Sequence, residues 1–202
     1  MKLGLLSDIH EDVPRLTQAL QLLKREQVDQ IVFLGDVLDT GQQLATTCRL
    51  LHEAAVVGVW GNHDLGFCHQ PDPALLAHYP AAACDFLRSL LPHVELGECR
   101  FAHVEPWLDP CDPGDINFYE GPPDSSERRA RIFAAAPQRF LFSGHLHRWR
   151  IVTPERTLEW AGESPVRLAP GRFFVVVGAL CEGHCGVFDT VTADLTPLRL
   201  PS

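Results

Sequence analysis

The sequence predicts an α/β protein (α+β in its C-terminal part) with a parallel sheet near the N-terminus and a second, mostly antiparallel sheet after it. Three observations carry this expectation. Short apolar runs alternate with amphipathic stretches through residues 2–60, the pattern of parallel strands with crossover helices. From residue 148 onward, short apolar runs follow one another across turn residues, with no helical period between them. The 202 residues carry no internal repeat or linker, so a single domain over 1–202 with one large core is expected.

Each element has a local reason. Residues 2–6 form a strand that ends at Ser7-Asp8-Ile9-His10. Pro14 at a helix start, with Val13, Leu16, Leu20 and Leu23 on one face, predicts a helix of about four turns. Ile31-Val32-Phe33-Leu34 reads as a buried strand broken by Gly35, which leaves Asp36 at its C-terminal tip. Residues 42–54 read as a second helix, through Leu44, Cys48 and Leu51. The run from Ala55 to Trp60 delivers Gly61-Asn62-His63-Asp64. Pro71, Pro73 and Pro80 divide the next stretch into a loop, a short helix at 74–79 and a longer one at 81–91. A strand from Cys99 ends at His103, and 105–123, rich in Pro, Gly and Asp, is a long loop. Helix 125–136 carries Arg128, Arg129 and Arg131 as a solvated face. Strand 139–143 delivers Gly144-His145-Leu146-His147. Strands are then expected at 148–153, 157–161, 172–180, 184–189 and 194–200.

Composition narrows the function classes. The chain is 46% hydrophobic and 21% charged, as in ordinary soluble globular proteins. Its formal net charge of -9 argues against a duplex nucleic-acid or membrane-surface binder, which needs a basic face. It leaves room for a small phosphorylated substrate, because bound divalent cations invert the local field. The N-terminal run reads as a strand and not as a signal peptide, and no apolar run approaches a membrane span. The seven cysteines are scattered, so reduced thiols and a cytoplasmic location are expected.

The strand tips hold the chemistry. Asp8 and His10 lie two apart, as do His145 and His147, so each pair can face one cation from an extended segment. The Asp36 carboxylate has two oxygens and can bridge two cations. Asn62 offers a carbonyl oxygen that suits a hard cation, and Asp64 beside His63 could orient its imidazole. Asp8-x-His10 or Gly35-Asp36 alone is a common turn. Four such pieces in order, each at the end of an apolar strand, point to a mixed His, carboxylate and carbonyl site for manganese, iron, nickel or zinc. His103 joins them from its strand end. His93, after Pro92 at a helix end, is its competitor. Cys181-Glu182-Gly183-His184-Cys185 has the look of a metal clip but lacks a fourth ligand, and is read as reduced cysteines around a turn. No Gly-x-Ser-x-Gly nucleophile motif is present.

The series Asp8-x-His10, Gly35-Asp36-x-x-Asp39, Gly61-Asn62-His63-Asp64, His103 and Gly144-His145-x-His147 resembles the calcineurin-like metallophosphoesterase superfamily over residues 3 to about 150. The resemblance implies a four-layer αββα sandwich, two mixed sheets face to face with helices outside, and two divalent metal ions. It implies that Asp8, His10 and His147 hold the first metal, that Asn62, His103 and His145 hold the second, that Asp36 bridges them and that His63 faces the substrate. The implied reaction is hydrolysis of a phosphodiester or phosphomonoester by a hydroxide between cations about 3.5–4 Å apart. Asn62 would stabilise the phosphoryl oxygens, His63 paired with Asp64 would serve the leaving group, and Asp39 would orient a ligand histidine. Thr40-Gly41 stands where relatives acting on phosphoproteins and dinucleotide polyphosphates usually carry Arg-Gly, which tilts the expectation toward a small phosphodiesterase. Val104-Glu105-Pro106 after His103 and Val177-Gly178-Ala179 in the C-terminal part also depart from the usual pattern. The rival expectations are a binding scaffold on the same fold and a nuclease. Every ligand position, and His63, is filled, which favours an enzyme.

Overall fold

The computed structural model describes residues 1–201. In chain order the elements are β1 (Lys2–Leu6), α1 (Val13–Arg25), β2 (Gln30–Leu34), α2 (Leu44–Glu53), β3 (Val57–Val59), α3 (Leu65–Cys68), α4 (Pro73–Leu76) and α5 (Ala81–Ser89). They continue with β4 (Val94–Leu96), β5 (Cys99–Phe101), α6 (Pro113–Ile116), α7 (Ser126–Ala135), β6 (Phe140–Ser143), β7 (Arg150–Val152), β8 (Val166–Arg167), β9 (Phe173–Val176), β10 (His184–Asp189) and β11 (Asp194–Arg199). Among the described residues, no helix is long and apolar enough to cross a membrane.

Two mixed sheets form, with strand orders β3-β2-β1-β10-β11-β8 and β4-β5-β6-β9-β7. β1, β2 and β3 run parallel, as do β5, β6 and β9. The strands of each sheet alternate between two faces. Leu3, Leu5, Val32 and Leu34 from one sheet meet Phe101, Phe140, Phe142 and Val175 from the other in a shared core. The opposite faces bury Leu6 and Phe33 under α1, α2 and α5, and Leu141, Phe174 and Val176 under α7. The result is helix, sheet, sheet, helix: the expected four layers.

The division of strands between the sheets differs from the expectation. The first sheet is not largely parallel, and the C-terminal strands do not make a sheet of their own. β10 pairs antiparallel with β1, β11 follows it, and β8 closes the edge. β9 and β7 join the second sheet instead. The reason is backbone satisfaction: β1 lies in the core and needs a partner on both edges, so β10 fills the edge that β2 leaves open. Residues 157–161 do not form a strand. They make an isolated bridge from Thr157 to Val152, and Val166–Arg167 supplies the edge strand.

Candidate metal centre

The C-terminal ends of β1, β2 and β3 meet those of β5 and β6 at one end of the sandwich. The loops after β1 and β2 stay zipped together, with the amides of Asp8, Ile9, His10 and Glu11 donating to the carbonyls of Gly35, Asp36 and Val37 at 2.8–3.0 Å. Across the sheets, the Gly144 amide donates to the His103 carbonyl and the His145 amide to Asp8 Oδ1. Five residues expected to hold metal, Asp8, His10, Asp36, His145 and His147, take positive φ between 46° and 68°. Non-glycine residues rarely adopt this region, and strain of this kind gathers where side chains must be aimed at a site.

The structure brings all seven expected ligands together. His10 Nε2 lies 3.3 Å from His147 Nε2 and 3.8 Å from Asp36 Oδ2, and His147 Nε2 lies 3.5 Å from Asp8 Oδ1. On the other side, His103 Nε2 is 3.4 Å from Asp36 Oδ2 and 2.9 Å from Asn62 Oδ1, which is 3.0 Å from His145 Nδ1. Two ligands each about 2.0–2.1 Å from one cation are about 2.9 Å apart at a right angle and about 3.4 Å apart at a tetrahedral one, so most of these spacings already suit a divalent cation and the widest, His10 to Asp36, needs only a small contraction. The far side of each ring is held as well. Nδ1–H of His10 donates to the Leu38 carbonyl, Nδ1–H of His103 to Leu34, and Nε2–H of His145 to Phe118. His147 Nδ1 faces Glu182 at 3.4 Å. In the neutral rings these contacts fix the tautomers so that the inward nitrogens carry the lone pairs, as metal-binding histidines need. His93 lies outside the cluster, beside Arg100 and Glu95.

Electrostatics points the same way. Asp8 and Asp36 are 0% and 2% exposed, and buried carboxylates need positive charge nearby. Burial pushes the Asp8 carboxyl up, with His103 opposing and Asp36 adding to the rise. Burial also acts upward on Asp36, but His103 beside it overrides this and holds Asp36 well below the usual carboxylate range. Burial alone would lower the His103 imidazole, and Asp36, with Asp8, instead raises it to about 9. Burial, with His103 next, pulls His145 down to about 4, so its ring is neutral and able to ligate near pH 7.

Two expected roles are corrected by these contacts. Asp64 does not pair with His63. Its fully buried carboxylate accepts the backbone N–H groups of Asp36, Val37, Leu38 and Gly61 at 2.8–3.2 Å, tying the loop after β2 to the loop after β3. Consecutive residues of this turn point in different directions, so His63 is exposed while Asp64 is buried. Burial and then Asp36 push Asp64 up to about 6, against those backbone donors. Asp39 is exposed, and among the described residues its carboxylate bonds no histidine. The His63 ring stands edge-on to His10, centroids 4.8 Å apart, and its backbone N–H donates to Asp36 Oδ1 at 3.0 Å.

Other residues were not legible in the sequence. Buried Glu11 accepts the amides of Asp39, Gly41 and Gln43 and straps the loop behind Asp36. Arg128 is no solvated residue: with 11% of its side chain exposed, it pairs with buried Glu105 and donates to the Gly121 carbonyl. Arg131 lies over the Trp107 ring. Helix α7 thus anchors the 105–123 loop whose Phe118 carbonyl holds His145. Nothing local in the sequence signals either, because the partners lie about 30 residues from Glu11 and 23 residues from Arg128. Close approach also explains two glycines. A Cβ on Gly61 would lie 2.6 Å from the Asp36 nitrogen, and one on Gly144 would collide with Ser7 Oγ, the hydroxyl that donates to Asp8 Oδ2.

Comparison with known proteins shows the family and the fold. A family profile described as the calcineurin-like phosphoesterase superfamily domain matches residues 1–191. A metallophosphoesterase from Sphaerobacter thermophilus is 19% identical, with a TM-score of 0.80, over 100% of this chain and 88% of its own. An archaeal phosphodiesterase is 14% identical, with a TM-score of 0.56, over 99% and 100%. The TT1561 protein of Thermus thermophilus is 12% identical, with a TM-score of 0.60, over 99% of each. At these identities the solved structures speak for the fold alone. No curated protein is significantly similar in sequence. The family match across nearly the whole chain, on a fold that gathers its Asp, Asn and His residues at one end of the sandwich, makes this chain a member of the calcineurin-like phosphoesterase superfamily.

Proposed function

We propose that this phosphoesterase is a dinuclear, metal-dependent hydrolase of small phosphodiesters or phosphomonoesters. The observation that carries the reading is the position of Asp36. Its Oδ2 stands 3.8 Å from His10 Nε2 and 3.4 Å from His103 Nε2, between two separate ligand sets. Asp8, His10 and His147 would hold one cation, Asn62, His103 and His145 the other, and Asp36 both. When bound, two such cations supply Lewis acidity toward the phosphoryl oxygens and a water acidic enough to act as nucleophile near neutral pH. Mn, Fe, Ni and Zn all suit this donor set.

The remaining chemistry belongs to the protein. Asn62 presents its carbonyl oxygen to His103 and His145, which leaves its NH₂ free to donate to a phosphoryl oxygen as charge builds there. His63 is exposed, next to His10, and its ring makes no hydrogen bond among the described residues. It can therefore give a proton from a ring nitrogen to the departing oxygen. Asp64 serves by holding both loops in place. A net charge of -9 favours a small substrate over duplex DNA. A monoanionic diester needs less positive charge around it than a dianionic monoester, consistent with Thr40 where an arginine would stand.

The test is metal-stripped protein reloaded with each cation, assayed on nitrophenyl mono- and diesters with metal content measured in parallel. Hydrolysis that requires two bound cations is expected. One cation per chain at full activity would overturn the dinuclear reading, and two bound cations with neither ester cleaved would favour a binding scaffold.

A further inference from the structure

We infer that Cys181 is a thiolate ligand of the first cation, joining Asp8, His10, Asp36 and His147; this rests on the metal centre proposed above. From sequence, the segment that carries it is expected to hold reduced cysteines around a turn. The structure splits that segment. Cys185 is fully buried in β10, and His184 lies against Arg199. Cys181 turns the other way. Its sulfur, a ring nitrogen of His10 and a ring nitrogen of His147 all lie within 4.8 Å of one another.

The placement is built by backbone contacts to the ligand loops themselves. The Ala179 amide donates to the His147 carbonyl at 3.2 Å, Leu180 to Ser7 at 2.8 Å and Cys181 to Asp8 at 3.2 Å. Arg15 donates to the Cys181 carbonyl at 2.8 Å, from the other side of the turn. The position of Cys181 is thereby coupled to both strand tips that supply the first cation's ligands. Among the described residues its sulfur has no hydrogen-bond partner, and the residue is half-buried, open enough to be reached by an ion. A sulfur about 2.3 Å from zinc and nitrogens about 2.0–2.1 Å away require separations well inside this spread, so small side-chain rotations complete the set.

The chemical consequence is selectivity. On ligation the S–H bond breaks heterolytically, the proton leaves to solvent and the sulfur pair binds the cation; no electron is transferred. A coordinating thiol is deprotonated outright by a cation of this kind. Nitrogen and oxygen ligands already bind manganese more weakly than iron, cobalt or zinc, and a soft thiolate widens that preference. The two halves of the centre would then differ, with the soft ligand confined to the first position.

Cobalt(II) is the probe. The full-length chain loaded with two equivalents should show a sulfur-to-cobalt charge-transfer band in the near-ultraviolet. Cys181→Ser should lose that band while keeping the visible ligand-field bands, and Cys111→Ser, a cysteine outside the cluster, should keep both. Cobalt affinity of the first site should fall in Cys181→Ser by at least about the 10–100-fold that loss of a supporting partner costs, and manganese affinity by less. X-ray absorption of the zinc-loaded wild type should show a sulfur scatterer at about 2.3 Å, which tests the assignment without any variant. Two bound cobalt ions without a charge-transfer band or sulfur scatterer would overturn the role of Cys181 and leave the metal centre standing. So would a band that survives in Cys181→Ser. Failure to bind cobalt at all would overturn both.

Discussion

Asp64→Asn is expected to loosen the whole metal-binding end and not merely to slow the chemistry. Oδ2 of Asp64 accepts from the Asp36 amide at 2.8 Å and from Gly61 at 3.0 Å, and Oδ1 accepts from Leu38 and Val37 at 3.0 Å each. Val37 also reaches Oδ2, at 3.2 Å. An amide has one oxygen. Set at the Oδ2 position, it can still serve Asp36, Gly61 and Val37, but Leu38 then faces an NH₂. Set at the Oδ1 position, it leaves Asp36 and Gly61 facing the NH₂. The better orientation therefore strands one enclosed donor, at about 1–3 kcal/mol, and turns the surviving bonds from charge-assisted to neutral at a further fraction of a kcal/mol to about 1 kcal/mol each. The expected loss is about 3–6 kcal/mol, a large part of the roughly 5–15 kcal/mol that holds a domain folded. For a chain of this length that lowers the midpoint by roughly 6–24 °C. The assay is urea and thermal unfolding of chelated wild type and variant at pH 7.5, with metal content measured separately, and both metals should be lost or weakened because Asp36 is no longer held. If the variant instead unfolds within about 0.5 kcal/mol of wild type, keeps both metals and loses turnover by about 100-fold or more, then Asp64 works by charging His63 and the backbone-anchoring argument is wrong.

Three further outcomes are expected. His63→Gln should retain both metals and the fold while losing on the order of 10²–10⁴ in turnover, with the loss smaller for nitrophenyl esters than for alkyl diesters because nitrophenolate leaves without a proton; metal lost in step with activity would make His63 a ligand. Gly144→Ala should push its Cβ into Ser7 Oγ and disturb the Asp8 carboxylate that Ser7 supports, so metal titration should show the first site weakened by about 10–100-fold, and an unchanged first site would refute the packing argument. In metal-free protein the His103 imidazole is raised to about 9, so its pairing with Asp36 contributes stability that is complete below about pH 6.5 and fades as pH rises toward 9. Denaturant midpoints of chelated protein should thus fall between pH 7 and 8.5, and they should be flat in His103→Gln if the assignment is right.

The candidate metal centre is legible in the sequence because its candidate ligands sit at strand ends. Short apolar runs and one period-3.6 pattern locate β1, α1, β2 and β6 to within a residue or so, and the polar residue after each strand is then placed at the tip without tertiary knowledge. Strand-end position by itself places Asp8, His10, Asp36, Asn62, His103, His145 and His147 near one another, and the fold brings these candidate ligands to one end of the sandwich. The family resemblance added the four layers and the pairing of ligands into two sets. What local pattern could not decide is which distant group satisfies which buried polar atom. Strand edges are filled across the whole chain, so β10 went to β1 and the C-terminal strands divided between the sheets. The same holds for side chains. Asp64 reaches amides 26–28 residues back, Asp8 accepts an amide 137 residues on, and Arg15 holds the Cys181 carbonyl across 166 residues. A sequence window sees the identity of Asp64 and Cys181 but not their direction, because direction follows from unpaired donors and open space that exist only once the two sheets have packed.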